Sequence, residues 1–320
     1  MAAALTYLDA LDDIDGWLFP TTALAMIESL WAQERRGYVG DIAEIGVWRG
    51  KSFLALAAGA RPGERLIAID PFDAGDPVAQ RPDLDVTPYG AGYKGAFLAN
   101  LSRFFPAAQP QLIETSSAAL ANDRSRLGKL RLLSIDGGHS RAQTLIDLRI
   151  GDACLTEQGL CWLDDVFNPA WPGVVSGLFT YLDSRPGLQP LALFPNKLVL
   201  VRPSMAESWR MEFRALFAGA ISREGVELHE FAVDVYEEVW SKISPTLRLL
   251  ESSEAKAAEQ RTAAAEAALS ACEVRALNAE QRAATAEAAL FACRTSTSWR
   301  ATSPFRVLGT LLRHSARRWN

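Results

Sequence analysis

Strand-sized apolar runs alternating with helical patterns restrict what this chain can become. Such runs occur at Asp41–Val47, Arg65–Asp70, Gln111–Thr115, Arg131–Asp136, Leu160–Asp164, Leu191–Phe194 and Lys197–Val201. Helical patterns lie between most of them, for example at Lys51–Ala58 and Arg141–Ala153, and another covers Thr21–Arg36 before the first run. Repeated alternation predicts an α/β fold with a parallel, doubly wound sheet. Only Pro195-Asn196 separates the last two runs, which permits a hairpin and an antiparallel edge strand.

The ends of these runs carry the chemistry. The first leads into EIGVWRGKS, a glycine-bearing turn with Ser52 near a helix start. Gly46 and Gly50 allow a ligand to approach the backbone closely. A dinucleotide turn would read G-x-G-x-x-G and place a helix N-terminus against a pyrophosphate. Here the spacing is E-x-G-x-x-x-G, and Glu44 would repel phosphate but suit an ammonium group. One strand–helix–strand unit later the next run ends in Asp70, where an acid can bond both hydroxyls of a ribose. An amine and a ribose without phosphate point to S-adenosylmethionine. The competing reading is that these acids only close turns, since acids at strand ends are common in α/β folds.

LLSIDGGHS places Asp136, two glycines and His139 after a strand, and CWLDDVFN places Asp164 and Asp165 after the following one. Adjacent parallel strands end on one edge, so the three aspartates should lie together. Crowded carboxylates call for a cation. Oxygen-only ligands suit Mg2+, which can hold substrate oxygens and favour a deprotonated hydroxyl. His139 is then a candidate base, against the plainer reading of a hydrogen-bonded turn histidine.

Four stretches in this order, EIGVWRGKS, IAIDPF, SIDGGHS and WLDDVFNPAWPGV, resemble the class I S-adenosylmethionine-dependent methyltransferases. They are similar in particular to the metal-dependent O-methyltransferases of macrolide sugars. The early IDGWLFPTTALAMIESL resembles that group's entry helix, and the likeness spans roughly the first three quarters of the chain. It implies a Rossmann-like sheet of seven strands with the last antiparallel. By position it assigns Glu44, Gly46, Gly50 and Ser52 to the methionine side of the cofactor and Asp70 to its ribose. Ser116 and Ser117 fall on the adenine side. Asp136, Asp164 and Asp165 fall on the metal, with Asp136 also near the cofactor. His139 matches the base of one branch. The acid that another branch carries two positions after the first metal ligand is Gly138 here. The Asp-, Pro- and Gly-rich segment Pro71–Gly95 has the character of a lid, with Tyr89, Tyr93 and Lys94 as candidate acceptor contacts.

Composition divides the chain into a domain at 1–245, an Ala/Glu-rich segment at 246–293 and a basic tail at 294–320. The blocks AEQRTAAAEAALSAC and AEQRAATAEAALFAC nearly repeat at an offset of 21 residues, or three heptads. A seam through Leu269, Cys272, Ala276, Ala279, Ala283, Ala286, Leu290 and Cys293 predicts a coiled coil, and its mainly alanine layers, which bury little area, allow a monomer, a homo-oligomer or a partner helix. A single solvated helix acting as a spacer is the alternative. In the tail, Val307, Leu308, Leu311 and Leu312 lie between Arg306 and Arg313, an amphipathic pattern suited to an anionic membrane face or a partner protein. TSTSWRATSPFRVLG resembles tails of bacterial polysaccharide-assembly enzymes and implies a glycan acceptor.

The net charge of −5 gives no footprint for nucleic acid. Cys154, Cys161, Cys272 and Cys293 form no metal-ligand pairs or disulfide framework. With a first stretch unlike a signal peptide, the expected location is the cytoplasm, with the tail reaching the inner membrane face. Against the enzyme stand two other readings. One is a non-catalytic module working through its coiled coil. The other is an NAD-dependent oxidoreductase, which the missing G-x-G-x-x-G disfavours.

Overall fold

The computed structural model describes residues 2–74, 92–121, 123–239, 280–292 and 295. The chain divides into two compact units, Met1–Arg248 and Leu249–Asn320. In the first unit the helices are α1 (Ala2–Asp9), α2 (Pro20–Arg35), α3 (Lys51–Ala58), α4 (Tyr93–Phe104), α5 (Ser117–Leu120), α6 (Arg141–Cys154), α7 (Pro172–Asp183) and α8 (Ala206–Leu216). The strands are β1 (Asp41–Ile45), β2 (Leu66–Ile69), β3 (Gln111–Ile113), β4 (Leu130–Ile135), β5 (Leu155–Asp164), β6 (Gln189–Phe194), β7 (Lys197–Val201), β8 (Ile221–Leu228) and β9 (Phe231–Tyr236).

All nine strands form one sheet in the order β3-β2-β1-β4-β5-β7-β6-β9-β8. From β3 to β5 every pairing is parallel. β7 runs antiparallel to both β5 and β6, as a two-residue hairpin requires. Two sequence expectations are corrected here. The antiparallel strand is interior rather than at the edge, because β7 folds back between β5 and β6. The sheet also gains the β8–β9 hairpin, which pairs through β9 with β6 and brings the count from seven to nine. β8, ISREGVEL, is exposed along most of its length and so has no apolar run to announce it.

Helices cover both faces. Alternate strand residues such as Ile42, Leu132, Trp162 and Val199 pack with α1, α2, α3, α4 and α8. Their neighbours Ala43, Leu133, Cys161 and Leu200 pack with α5, α6 and α7. Because β1–β3 build outward in one direction and β4–β5 in the other, the strand order reverses between β1 and β4. In open α/β sheets that reversal opens a crevice beyond the carboxyl ends of the strands.

One buried cation pins the first face. Arg131, fully buried at an irregularity of the β4 ladders, donates to both oxygens of Glu64, to the Leu30 and Gly59 carbonyls and to Gln33 Oε1. It thereby ties α2 and the α3–β2 connection to β4.

The helix at 280–292 in the second unit is exposed along its length. The remainder of the expected coiled coil and nearly all of the basic tail lie outside the described residues. No helix of the described residues is long and apolar enough to cross a membrane.

Replacing Arg131 with Met should destabilise the first unit by about 2–4 kcal/mol, since the Leu30 and Gly59 carbonyls and Gln33 lose a buried donor and Glu64 keeps only Arg61 as its cation. Denaturant unfolding of the two proteins measures this. An Arg131→Met protein as stable as the original would contradict the pinning role.

Candidate active site

At the strand-order reversal the backbones of β1 and β4 come into direct contact. Asp136 N donates to the Ile45 carbonyl at 2.7 Å. Gly46 has a φ of +84°, and a Cβ there would stand 1.8 Å from the Asp136 carbonyl oxygen. Only glycine closes this contact. Asp70 holds the next part of the turn, accepting from Val47 N at 2.7 Å, Trp48 N at 2.8 Å and Phe72 N at 2.5 Å. Trp48 is thereby kept at a φ of +47°, a conformation that side-chain-bearing residues seldom adopt. The indole stacks on Trp17, which is 79% exposed, at 5.6 Å.

Beyond β4 and β5 the predicted acids meet. Successive strand residues point to opposite faces, so Asp164 and Asp165 would diverge if β5 continued. Asp165 instead adopts a φ of +58°. Its N–H donates to the Asn196 carbonyl at 2.9 Å and to Asp164 Oδ1 at 2.8 Å. One amide nitrogen, Asn196 Nδ2, then donates to Asp164 Oδ1 at 2.6 Å and to Asp165 Oδ1 at 2.8 Å. Asn168 Nδ2 also reaches Asp165 Oδ1 at 2.8 Å. Lys197, buried at the start of β7, lies 2.6 Å from Asp164 Oδ2 and 3.6 Å from Asp136 Oδ2.

His139 faces the open side. Its Nε2 is 3.0 Å from Asp165 Oδ2 and 3.7 Å from Asp136 Oδ1, and its ring stacks on Trp171 at 4.4 Å. Asp136, His139 and Asp165 each offer one atom within 4.8 Å of the others, a set able to hold a metal ion.

Charge governs the protonation states. Burial works to lower the His139 pKa, but the hydrogen bonds and charges of Asp136 and Asp165 outweigh it and raise the value to about 9. Burial pushes Asp136 up, yet Lys197 and His139 hold it below the ordinary carboxylate range. Asp165 is likewise held low against burial, chiefly by His139 and Asn168. Burial, and after it the Asp136 charge, raise Asp164 against the pull of Lys197. Lys197 itself is raised, because Asp164 and Asp136 overcome the burial that would lower it.

Glu44 is fully buried beneath the turn, where Ser134 Oγ donates to its Oε1 at 2.8 Å and Ser52 lies against it. Burial raises its pKa to about 7 against the pull of Lys197. Its Oε2 accepts no hydrogen bond. An ammonium group would satisfy that oxygen. Asp70 spends three of roughly four acceptor positions on backbone N–H groups, which leaves one for a hydroxyl. These two vacancies fit the amine and the ribose of S-adenosylmethionine.

Gly50 turns the chain into α3 at a φ of +87°, with Phe97 where a Cβ would stand. Ser116 caps α5 through Ala119 N, and Ser117 bonds Gln143, which also holds Asp147. Tyr93 is buried beside Trp48 and under Arg49, and Lys94 pairs with Glu114 at 2.6 Å. Tyr89 lies outside the described residues. Sequence reasoning missed Lys197, Asn196, Asn168 and Trp171. For Lys197 and Asn196 one signal was present: a lysine and an asparagine at a tight hairpin whose outgoing strand starts opposite Asp164.

Residues 43–166 match the family described as "Methyltransferase domain". The match runs from β1 to just past β5 and supports a methyltransferase. No curated protein matches the chain. Among solved structures it is similar to the O-methyltransferase NovP, at 13% identity over 56% of this chain and 78% of that one, with a TM-score of 0.45. It is also similar to the calicheamicin methyltransferase CalS11, at 18% identity over 63% and 91%, with a TM-score of 0.43. A third similar structure is an O-methyltransferase from Bacillus cereus in complex with SAH, at 12% identity over 62% and 90%, with a TM-score of 0.45.

In cation-free protein the His139 ring should titrate near pH 9, and NMR of the ring resonances measures this directly. Because the folded value exceeds the unfolded one, the stabilisation is full below about pH 6.5 and is lost as pH rises through about 9. Asp165→Asn should move the titration downward. A midpoint near 6.5 in the unaltered protein would contradict the paired geometry.

Proposed function

We propose that the chain is an S-adenosylmethionine-dependent O-methyltransferase that acts on a sugar hydroxyl of a bacterial surface glycan or glycosylated metabolite, with Mg2+ at the aspartate cluster. One observation carries the reading: a methyltransferase domain in which the adjacent ends of β4 and β5 bring Asp136, His139 and Asp165 within 4.8 Å of one another. Glu44, Gly46, Gly50, Ser52, Asp70, Ser116 and Ser117 form the proposed cofactor side. Asp136 and Asp165 form the proposed metal side, with Asp164, the third acid the sequence suggests for it, behind them against Lys197.

S-adenosylmethionine supplies the methyl group from a sulfonium, and a divalent cation supplies charge stabilisation for the acceptor oxygen. The chain's own groups do the rest. Gly46 lets the turn after β1 close directly on the Asp136 backbone, which is the contact its missing side chain leaves room for, rather than room for a ligand. Trp171 fixes the plane of His139, and Asp165 Oδ2 lies 3.0 Å from its Nε2. A hydroxyl held beside His139 would bond to the methyl carbon as the carbon–sulfur pair returned to sulfur, and its proton would pass to His139 or to water. A protonated imidazole cannot accept that proton. With a cation held by Asp136 and Asp165, those carboxylates would no longer keep the imidazole protonated, and His139 could act as a base at lower pH. Positioning and electrostatics supply most of the rate.

Calorimetric titration with S-adenosylhomocysteine should show binding on the order of −8 kcal/mol, or about micromolar. Methyl transfer from labelled S-adenosylmethionine to glycan acceptors should fall by about 100-fold or more in His139→Gln, while cofactor binding persists. Transfer should rise with pH and reach its plateau at lower pH when Mg2+ is present. No cofactor binding with or without Mg2+ would overturn the proposal.

A further inference from the structure

The three aspartates are not equivalent, and Lys197 makes the difference. Asp164 pairs with Lys197 across the β5–β7 ladder. Its Oδ2 takes the Lys197 ammonium at 2.6 Å. Its Oδ1 accepts from Asn196 Nδ2 at 2.6 Å and from the Asp165 amide at 2.8 Å. Three of roughly four acceptor positions are thus filled from within the protein. The Asp164 side chain is only 4% exposed and that of Lys197 only 1%. Asp136 and Asp165 differ: their side chains are 24% and 10% exposed, and each turns one oxygen toward His139 Nε2. Asn168 and Asn196 occupy the other oxygen of Asp165 and so fix which one faces outward.

We infer that Lys197 is a positioning residue that serves as the site's internal cation, drawing Asp164 away from the open side so that an added divalent ion is held by Asp136 and Asp165 beside His139. This inference rests on the divalent-cation reading above. A lysine ammonium carries a single charge and three donors on a flexible stem. Here it comes from the rigid start of an interior strand, and the Pro195 carbonyl preceding it is anchored by Thr22 Oγ1 at 2.7 Å. Burial seals it away from exchange with solvent cations. It stays against Asp164 Oδ2 on the protein side, which leaves two aspartates and a dication as a balanced front.

Mn2+ binding to the full chain, followed by electron paramagnetic resonance, tests this. Asp165→Asn should weaken the Mn2+ dissociation constant by about tenfold or more, while Asp164→Asn should leave it nearly unchanged. Lys197→Met should tighten Mn2+ binding, because Asp164 then lacks its cation, and in that background Asp164→Asn should become costly. Such coupling is what a double-mutant cycle reads. Equal loss in Asp164→Asn and Asp165→Asn of the unaltered chain would overturn the inference even if Lys197→Met does not fold. In folded Lys197→Met protein, unchanged or weaker Mn2+ binding would overturn it too. Absence of Mn2+ binding in the unaltered chain would overturn the cation reading itself and this inference with it, while leaving cofactor binding to be judged by calorimetry.

Discussion

Asp136, Asp164 and Asp165 share one corner of the fold because a lysine ammonium is buried among them. Without Lys197, carboxylates in such proximity would repel one another or protonate. With it, Asp164 is held from behind, Asp136 is kept ionised, and Asp165 is left to engage His139. The ion pair demands an antiparallel strand beside β5, since only a strand that begins where β5 ends can place its first side chain opposite Asp164. The β6–β7 hairpin therefore serves the site as well as the sheet.

The reversal of strand order does the complementary work on the other side. β1 and β4 leave the sheet side by side, and Gly46 lets their ends touch. Asp70, at the end of β2, then spends its charge on the Val47 and Trp48 amides, so the turn meets Asp136 in one conformation. Each strand end contributes one element: a glycine turn, an acid that shapes it, and acids that carry charge into the crevice. Arg131 supports this from below by fixing α2 and the α3–β2 connection to β4. The domain family matched over residues 43–166 spans these strand ends but stops before β7, so Lys197 and Asn196 lie beyond it.

Much of this was legible in the sequence because it is local. The runs that became β1–β7 are apolar and short, and α3 begins and ends where its pattern does. Acids at strand ends were visible as letters, and parallel pairing was enough to bring Asp136 toward Asp164 and Asp165. What could not be read depends on pairings between distant segments. A lysine at position 197 looks like an ordinary hairpin residue until β7 is inserted between β5 and β6. Asp164 and Asp165 look alike until the left-handed turn at Asp165 separates their roles. Arg131 reads as a charge at the start of a strand, and only the fold shows five acceptor atoms on four groups around it. β8 was hidden for the opposite reason: its residues face solvent, so no apolar pattern marks it.

The central claim is that one crevice brings a sulfonium donor, a cation and His139 together. A crystal structure of the chain grown with S-adenosylhomocysteine and Mn2+, with anomalous scattering to locate the metal, tests it most directly. The account predicts an anomalous peak coordinated by Asp136 and Asp165, Asp164 still bonded to Lys197, and the ligand sulfur over the Gly46 turn on the side facing His139. A ligand seated with its sulfur away from His139, or one bound with no metal peak at the aspartates, would contradict it.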